Sequence, residues 1–504
     1  MTAPGTHSVV SETLAADSIG SVSVAQFLLT TAAPMLVIVG VVGTGWAVTG
    51  VLAVPVGFAA VAGLLALFAI GYTAMARRIV NAGALYTYSA IGLGRPAGIA
   101  AGLLALLSYN TMQVGAYGMI GAVASSELQQ YLGVSVPWYL CALLAWALVA
   151  ILGSRKVEFT GKVLATLLAG EVLFVIAAGI AGLLHPAGGH VSFAALNPGN
   201  LFASDTGVVL SGVGAVLAIA WTAYIGFEQA PNYSEESKNP RRTVLYATFG
   251  SLGLMAAVYL FVPWAMSVSV GPDKIVAAAQ EQSTELLFGV AAPLGDAAVL
   301  AGHLLLLTSV FAGLLALHNT CARYAYALGR EGVLPRVMAR TSLKTRAPIA
   351  GSIAQTITGL AAIALYAAMG WDPMVNMMFW LAAIGGVGIL LLVTITSLAI
   401  VAYLIRNPAA GLFTNVIAPV LSSIGLIAVC GLCLDNYTTL LGVDPDSPLG
   451  WIFPACYGIV IVAGLLWGFI LRASRHPAYD QIGNGATVAP ATVATAQPAM
   501  GGIR

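Results

Sequence analysis

The chain has 504 residues, of which 59% are hydrophobic and only 8% are charged. Soluble globular domains carry about 25% charged residues, so this composition excludes a soluble fold and predicts a polytopic membrane protein in a lipid bilayer. A net charge of +1 also gives no reason to expect nucleic acid as a partner.

Residues 1–20 contain neither Lys nor Arg and no short apolar core before a cleavage site, so we predict an N-terminal tail and no cleaved signal peptide. Apolar runs then recur, and a membrane-spanning helix needs about 20 apolar residues. They predict an all-α polytopic membrane protein with twelve transmembrane helices, at residues 22–47, 53–76, 97–124, 137–153, 162–184, 206–233, 243–269, 297–322, 348–370, 376–405, 412–435 and 451–471. Residues 476–504 are rich in Ala, Thr, Pro and Gly, which predicts a disordered C-terminal tail.

The basic residues predict the orientation of these spans. An even number of spans places both tails on one side of the membrane, and that side receives every one of the 20 Lys and Arg residues except Lys274. Excess Lys and Arg mark the cytoplasmic side of membrane proteins. We therefore expect a multi-pass protein of the plasma membrane with both termini in the cytoplasm.

The first and sixth spans are longer than a straight crossing needs, and both contain helix-breaking residues. Pro34 lies near the middle of the first span, and Gly226 and Pro231 lie in the sixth. Such breaks survive in lipid only where protein or a cavity satisfies the freed backbone groups. One interpretation is ordinary kinks. The other is two broken helices at matching positions of inverted five-helix repeats, residues 21–184 and 206–405, which form a ten-helix transport core before helices 11 and 12 at 412–471.

Three sequence stretches are similar to those of one transporter family. Residues 225–228 (IGFE) with 235–242 (EESKNPRR) resemble the sixth helix and the following loop of the amino acid–polyamine–organocation (APC) transporters. Residues 323–335 (RYAYALGREGVLP) and 81–88 (NAGALYTY) resemble that family's sequences after its eighth and second helices. Because the three stretches occur in order, within a resemblance that covers residues 20–475, the chain is identified as a member of the APC family.

The resemblance implies the LeuT-type fold and secondary transport of amino acids or related organic cations, with the substrate bound at broken helices one and six. Open helix ends suit such a substrate, because free N–H groups attract a carboxylate and free carbonyl groups accept from an ammonium group. The family's Gly-Ser/Thr-Gly motif is spelled here by residues 43–45, near the outer end of the first span, so depth favours residues 32–35 as the break. The candidate substrate-binding residues are Ala32, Ala33, Pro34, Met35, Gln113, Tyr224, Ile225, Gly226 and Phe227.

Two acids within the spans are candidates for proton coupling, because a charge inside the bilayer is costly and usually functional. Glu171 matches the position of a lysine that some family members use in place of a sodium ion. The alternative interpretation is that Glu171 is a protonated acid with a structural role only. Glu228 matches the family's acid after Gly-Phe. Its alternative is a solvated residue at the end of the helix, since an unbroken helix from Gly207 would rise about 30 Å by that point.

Other polar residues in the spans have ordinary interpretations. His303 and His318 are expected to be packed or hydrogen-bonded rather than to carry protons or bind metal. Asn110 and Trp380 could line a cavity or only pack. Cys430 and Cys433 are interpreted as small hydrophobic residues of a helix.

These observations lead to a functional expectation. We expect a proton-coupled amino acid permease that works by alternating access, with no cofactor and with a proton, or alternatively sodium, as the coupling ion. A carrier or exchanger of polyamines or cationic amino acids is the alternative, although a polycation should require several acids in the cavity. A membrane enzyme is disfavoured because the sequence shows no cluster of His, Asp or Cys at a helix end and no phosphate-binding loop. The oligomeric state stays open.

Overall fold

The computed structural model describes residues 10–11, 14–202, 209–408 and 410–485. Within these ranges, eleven helices are long and apolar enough to cross a membrane. The only strands of the described residues are β1 (Val10–Ser11) and β2 (Thr341–Ser342), which pair antiparallel. The chain is therefore an all-helical polytopic membrane protein.

The α-helices of the first half share a mainly apolar composition. In chain order they are α1 (Ser21–Ala32), α2 (Pro34–Leu36), α3 (Gly43–Thr49), α4 (Val54–Ala76), α5 (Ala84–Leu93), α6 (Arg95–Leu132), α7 (Trp138–Gly153) and α8 (Val157–Leu184). A π-helical segment, Val37–Val42, joins α2 to α3.

The second half repeats the pattern of long apolar helices joined by short segments. Its α-helices are α9 (Val209–Thr222), α10 (Pro240–Val270), α11 (Ile275–Gln282), α12 (Leu286–Ala291), α13 (Asp296–Arg330), α14 (Ile349–Met369), α15 (Trp380–Arg406), α16 (Ala418–Asp435), α17 (Tyr437–Leu441), α18 (Leu449–Ala473) and α19 (Pro477–Gln481). Shorter 3-10 and π segments include Phe227–Glu236, Ser283–Glu285 and Pro373–Phe379.

The predicted fourth span corresponds to α7, the shortest of the long apolar helices. It has 16 residues, which rise roughly 24 Å against a hydrocarbon core of about 30 Å. The residues that flank α7 are held by different parts of the chain. Before the helix, Val136 accepts a hydrogen bond from Ser125 of α6, and after it, Ser154 accepts one from Thr345. The count of twelve spans stays a prediction, since eleven helices of the described residues meet the length and hydropathy criteria.

Both predicted helix interruptions are present in the backbone. Ala33 separates α1 from α2 with a left-handed conformation, φ 47° and ψ 71°. Gly226, with φ 121°, precedes the 3-10 segment Phe227–Glu236, and the residues between α9 and Gly226 form turns. By contrast, the Gly43-Thr44-Gly45 motif lies within the regular helix α3. The first interruption therefore lies within residues 32–35, as depth in the bilayer predicts, and not at residues 43–45.

Several basic residues lie at one end of the helix bundle, which we call the basic end and define by Arg78, Arg323 and Arg330. Arg323 pairs with Glu236 and Arg330 with Glu235, each at 2.7 Å. Arg78 donates to the carbonyl oxygen of Asn407 at 2.8 Å. The loops that the sequence predicts on one side of the membrane therefore meet at one end of the molecule.

Both terminal tails also contact the basic end. The N-terminal strand β1 pairs with β2, and the amide of Ile19 donates to the carbonyl oxygen of Glu236 at 3.1 Å. Residues 477–485 differ from the expected disordered tail: they begin with α19, and Ile482 is buried. This segment is ordered because Glu331 accepts from its amides, a partner that composition alone does not reveal. Residues 486–504 lie outside the described residues.

Candidate functional site

The first interruption leaves backbone groups without helical partners. Pro34 has no N–H, and Ala33 occupies a region of φ/ψ space that a residue with a side chain rarely adopts. The chain resumes its helix when the amide of Val37 donates to the carbonyl oxygen of Ala33 at 3.1 Å. Between them, the amide of Met35 donates to a side chain of another helix, the carboxylate of Glu171, at 3.3 Å.

Glu171 holds the first interruption against two neighbouring helices. Its side chain projects from α8 and is fully buried. Its Oε2 atom accepts from the Met35 amide and from the hydroxyl of Ser309 on α13. Among the described residues, its Oε1 atom has no hydrogen-bond partner. Glu171 therefore joins α8 and α13 to the backbone of the first interruption through one carboxylate oxygen.

The second interruption packs directly on the first broken helix. A β-carbon added to Gly226 would lie 2.8 Å from the carbonyl oxygen of Leu28 and 2.9 Å from the β-carbon of Thr31. The positive φ of 121° and this close approach both require glycine. Gly226 thus allows the turn of the sixth span to touch α1 one turn before that helix ends.

Glu228 ties the second interruption together from within. It is fully buried, its Oε1 atom accepts from the Tyr109 hydroxyl at 2.6 Å, and its Oε2 atom accepts from the Gly226 amide at 2.8 Å. The Tyr72 hydroxyl donates to its backbone carbonyl oxygen. The interpretation of Glu228 as a solvated helix end is therefore wrong. It assumed a continuous helix, whereas residues 223–226 turn instead of climbing toward the membrane surface.

The next residue, Gln229, joins three helices. Its Oε1 atom accepts from the hydroxyl of Thr31 on α1 at 3.1 Å and from that of Thr320 on α13 at 2.8 Å. Among the described residues, its Nε2 atom has no partner. The Gln229 carbonyl oxygen therefore links α1 to α13 directly beside the second interruption.

A cavity of about 310 Å³ opens beside the two interruptions. From the first span it is lined by residues between Thr31 and Val48, and from the sixth by Ile219, Thr222 and Ile225. Ala279 and Thr284, from the segment that follows α10, also line it. A larger hollow of about 480 Å³ beside Arg155, Lys156 and Lys344 touches neither interruption.

The predicted substrate-binding residues separate into two groups. Ala32, Ala33 and Ile225 line the cavity. The others do not belong to its lining; they are Pro34, Met35, Gln113, Tyr224, Gly226 and Phe227. Tyr224 instead donates to the carbonyl oxygen of Phe58 at 2.9 Å, and Phe227 packs edge-on against Phe68 at a centroid distance of 5.9 Å.

Gln113 takes part in a separate buried polar cluster. Its Oε1 atom accepts from Gln355 at 2.6 Å, and its Nε2 atom lies 3.4 Å from Nδ1 of His318. The other ring nitrogen of His318 lies 2.7 Å from the Ser352 hydroxyl. His318 is thus a hydrogen-bonded structural histidine, as expected. Asn110 and Trp380 are also absent from the cavity lining, and Asn110 donates to the carbonyl oxygen of Leu106.

Toward the basic end, a buried ion pair joins α13 to the segment that follows Gly226. Arg323 and Glu236 are almost completely buried, and the Arg323 guanidinium also lies over the Tyr233 ring at 4.5 Å. Farther out, Tyr86 donates to Glu331 at 2.7 Å. Burial, followed by the nearby carboxylate, raises the pKa of the Tyr86 phenol well above its ordinary value, so that it keeps its proton and donates it.

At the opposite end of α13, the buried His303 contacts a segment that contributes to the lining of the cavity. His303 Nδ1 lies 3.1 Å from Glu127 on α6, and its Nε2 lies 3.7 Å from Glu285, which follows the cavity-lining Thr284. The His303 ring stacks on Phe288 at 3.8 Å. The expectation of a packed, hydrogen-bonded histidine is therefore confirmed.

Several residues of the site have no motif by which sequence reasoning could select them. Tyr72, Tyr109 and Ser309 hold the two acids but are common residue types in apolar helices. Four methionines of the cavity, Met112, Met119, Met374 and Met378, resemble ordinary core residues. A partial signal existed for Tyr109, because it lies one helical turn before Gln113 and shares its face of α6.

Comparison with known proteins gives the family to which this arrangement belongs. Residues 17–470 match the amino acid permease family model. Over 57% of its own residues, the chain is 30% identical to the branched-chain amino acid permease BcaP of Lactococcus lactis. Over 67% of its own residues, it is 28% identical to the human cationic amino acid transporter 4. It is 24% identical over 53% of its length to the low-affinity putrescine importer PlaP of Escherichia coli. The alignments span 62%, 55% and 57% of these relatives' own lengths.

The family match covers the whole predicted transport core and both interruptions. It agrees with the resemblance of residues 81–88, 225–242 and 323–335, so the identification made from those motifs is confirmed. The chain therefore belongs to the amino acid permease family of the amino acid–polyamine–organocation superfamily.

Proposed function

We propose that this chain is a secondary active transporter that moves amino acids across the plasma membrane by alternating access. The observation that supports this most directly is the cavity, which touches both interrupted spans where their backbones abut. Binding there would let one small molecule bias two mobile half-helices at once. In transporters with inverted repeats the substrate site lies at such broken helices near the middle of the membrane.

The arrangement of closed and open regions supports an alternating mechanism. The cavity-lining residues of the sixth span all precede Gly226, and those of the first span follow Leu29, so the cavity extends away from the basic end. At the basic end, the buried Arg323–Glu236 pair and hydrogen bonds from both tails hold the helix ends together. With the basic end in the cytoplasm, as the positive-inside rule proposes, this conformation is closed to the inside. Rearrangement of two inverted five-helix repeats would then expose the cavity to the cytoplasm.

Glu228 is the proposed coupling residue because protonation would change its hydrogen bonds. As a carboxylate it accepts from two donors, the Tyr109 hydroxyl and the Gly226 amide. A proton on Oε2 would compete with the Gly226 amide for that oxygen. The amide N–H can only donate, so it cannot accept a hydrogen bond from the new O–H group. A proton on Oε1 would force the Tyr109 hydroxyl to turn and accept instead. Either change alters the second interruption, which is how a proton could be coupled to the hinge.

Glu171 is a second proposed proton site with a different consequence. Its Oε2 atom holds the Met35 amide and the Ser309 hydroxyl, whereas Oε1 has no partner among the described residues. A proton on Oε1 would therefore leave both bonds in place. We propose that Glu171 stabilises the first interruption in either protonation state, while Glu228 responds to protonation.

A carrier of cationic amino acids or polyamines is the second candidate function. Relatives named cationic amino acid transporter 4 and putrescine importer favour it, and the relative named branched-chain amino acid permease favours a neutral substrate. The catalytic alternative, a membrane enzyme, has no support from a family of permeases.

Uptake by the purified full chain in proteoliposomes tests the proposed function. Radiolabelled amino acids should accumulate when the outside is acidic and the membrane potential is clamped, and a protonophore should abolish accumulation. An inward sodium gradient at equal pH on both sides should have no effect. Accumulation driven only by a sodium gradient would show that sodium, and not the proton, is the coupling ion. A failure of every amino acid and amine to accumulate or exchange would contradict transport.

A further inference from the structure

We propose that the cavity selects neutral amino acids with an aliphatic or thioether side chain and rejects cationic amino acids, diamines and acidic amino acids. The inference rests on the proposed function, because it assigns the substrate class of the same cavity. It uses observations independent of the relatives, whose names span neutral and cationic substrates.

The cavity offers no charge to a substrate side chain. Among the described residues that line it, none is acidic, basic or a histidine, and its polar side chains are threonines: Thr31, Thr44, Thr222 and Thr284. An uncompensated ammonium or carboxylate group is expensive to remove from water, and in practice such a group needs an opposite charge or several hydrogen bonds. The proposed function assigns the ammonium and carboxylate groups common to all amino acids to the part of the interruptions that lines the cavity, at Ala32, Ala33 and Ile225, whereas a further charge meets no opposite charge there.

The two acids nearest the interruptions are not available as that partner. Glu228 and Glu171 do not line the cavity, and both are fully buried. Both oxygens of Glu228 are already bonded to Tyr109 and Gly226. A lysine side chain or the second amine of a diamine would have to leave the cavity and displace packed side chains to reach either carboxylate, the unpaired Oε1 of Glu171 included.

The apolar part of the cavity has an adaptable surface that we call the methionine wall, formed by Met112 and Met119 of α6 and by Met374 and Met378 of the segment Pro373–Phe379. The two elements are in contact: a β-carbon on Gly118 would lie 2.5 Å from the carbonyl oxygen of Pro373. Methionine is unbranched, flexible and polarisable, so a wall of methionines accommodates apolar side chains of different shape. It fits aliphatic and thioether groups and offers nothing to a polar one.

The size of the cavity agrees with a single amino acid. Its volume of about 310 Å³ lies at the lower end of the range of small-molecule pockets, about 300–1,000 Å³. Apolar pockets of this kind distinguish poorly between neighbouring homologues, by roughly 10–200-fold per methylene group. We therefore expect one carrier for leucine, isoleucine, valine and methionine rather than a carrier specific for one of them.

Competition against labelled leucine, measured by binding to the purified full chain and by uptake, tests the inference. Unlabelled isoleucine and methionine should compete at concentrations close to that of leucine, and valine, which is one methylene group smaller, at concentrations about tenfold higher. Lysine, arginine, putrescine and aspartate should fail to compete at a 100-fold excess. Equal competition by lysine or putrescine would overturn the substrate class while leaving transport itself intact, whereas a lack of binding by every amino acid and amine would contradict the proposed function.

Two variants test whether the methionine wall contributes to leucine binding. Met378→Ala and Met374→Ala should each weaken leucine binding by about tenfold, because each removes apolar contact from the cavity. The matched control is Met369→Ala, since Met369 is 54% exposed and does not line the cavity. Monodisperse elution of each variant in detergent verifies folding. Leucine affinity unchanged in both wall variants, with folding intact, would overturn the role of the wall.

Discussion

The carboxylate of Glu228 accepts a hydrogen bond from the backbone amide of Gly226, 2.8 Å away across the interruption of the sixth span. A buried acid two residues after a left-handed glycine thus closes the turn that the glycine makes possible. The same turn packs on α1, where a β-carbon on Gly226 would meet the carbonyl oxygen of Leu28. The acid, the hinge and the partner helix therefore form one unit, and a change at any of them should affect the others.

Replacing the hinge glycine should destabilise the protein strongly. Gly226→Ala forces a side chain into φ 121° and against the backbone of Leu28, with an expected loss of about 2–5 kcal/mol in the free energy of unfolding. Thermal unfolding in detergent measures this loss. The control is Gly250→Ala, because Gly250 lies in α10 with no atom within 4 Å of an added β-carbon. Equal melting temperatures for the two variants would contradict the close packing of the interruptions.

The ion pairs of the basic end should differ in strength according to their burial. Glu236→Gln leaves the buried Arg323 without a counter-charge and should cost about 3–5 kcal/mol in the free energy of unfolding. Asp480→Asn breaks the Arg95 pair, whose carboxylate is 84% exposed, and should cost at most about 1 kcal/mol. Denaturant titration of the two variants measures the difference, and a reversed order would show that Arg323 gains another partner.

The C-terminal segment should come off the basic end when Glu331 loses its charge. Glu331 accepts from Asn81 and Tyr86 and from the amides of Gly483 and Gly485, at 2.5–3.2 Å. Glu331→Gln retains only one acceptor oxygen, and charged hydrogen bonds contribute about 1.5–3 kcal/mol each, so exchange of these two amides should accelerate at least tenfold. Hydrogen–deuterium exchange mass spectrometry measures the rate. Protection equal to that of the unaltered chain would contradict the docking.

Features of the chain that one strong physical constraint governs could be predicted from the sequence. Depth in a bilayer distinguished the interruption at Ala33 from the Gly43-Thr44-Gly45 motif, because a break near the outer end of a span would serve no buried site. Proline and glycine mark backbone breaks directly, so both interruptions could be predicted. The twelve-span count, the inverted repeats and the cellular orientation remain predictions.

Sequence reasoning was weaker where side-chain direction decides the role. Gln113 faces His318 and Gln355 rather than the cavity, and no feature of a uniformly apolar helix reveals which face it occupies. For the same reason, the sequence does not reveal that the residues of the methionine wall face the cavity. The docked segment 477–485 escaped prediction because its order depends on Glu331, which is distant in sequence.

The coupling role of Glu228 is the central claim, and one comparison tests it most directly. In proteoliposomes, Glu228→Gln should retain leucine counterflow, which needs no net proton movement, and should lose accumulation driven by an inward proton gradient. Asp446→Asn, which changes an exposed carboxylate in a loop, should retain both activities. Gradient-driven accumulation by Glu228→Gln at the level of the unaltered chain would contradict the account.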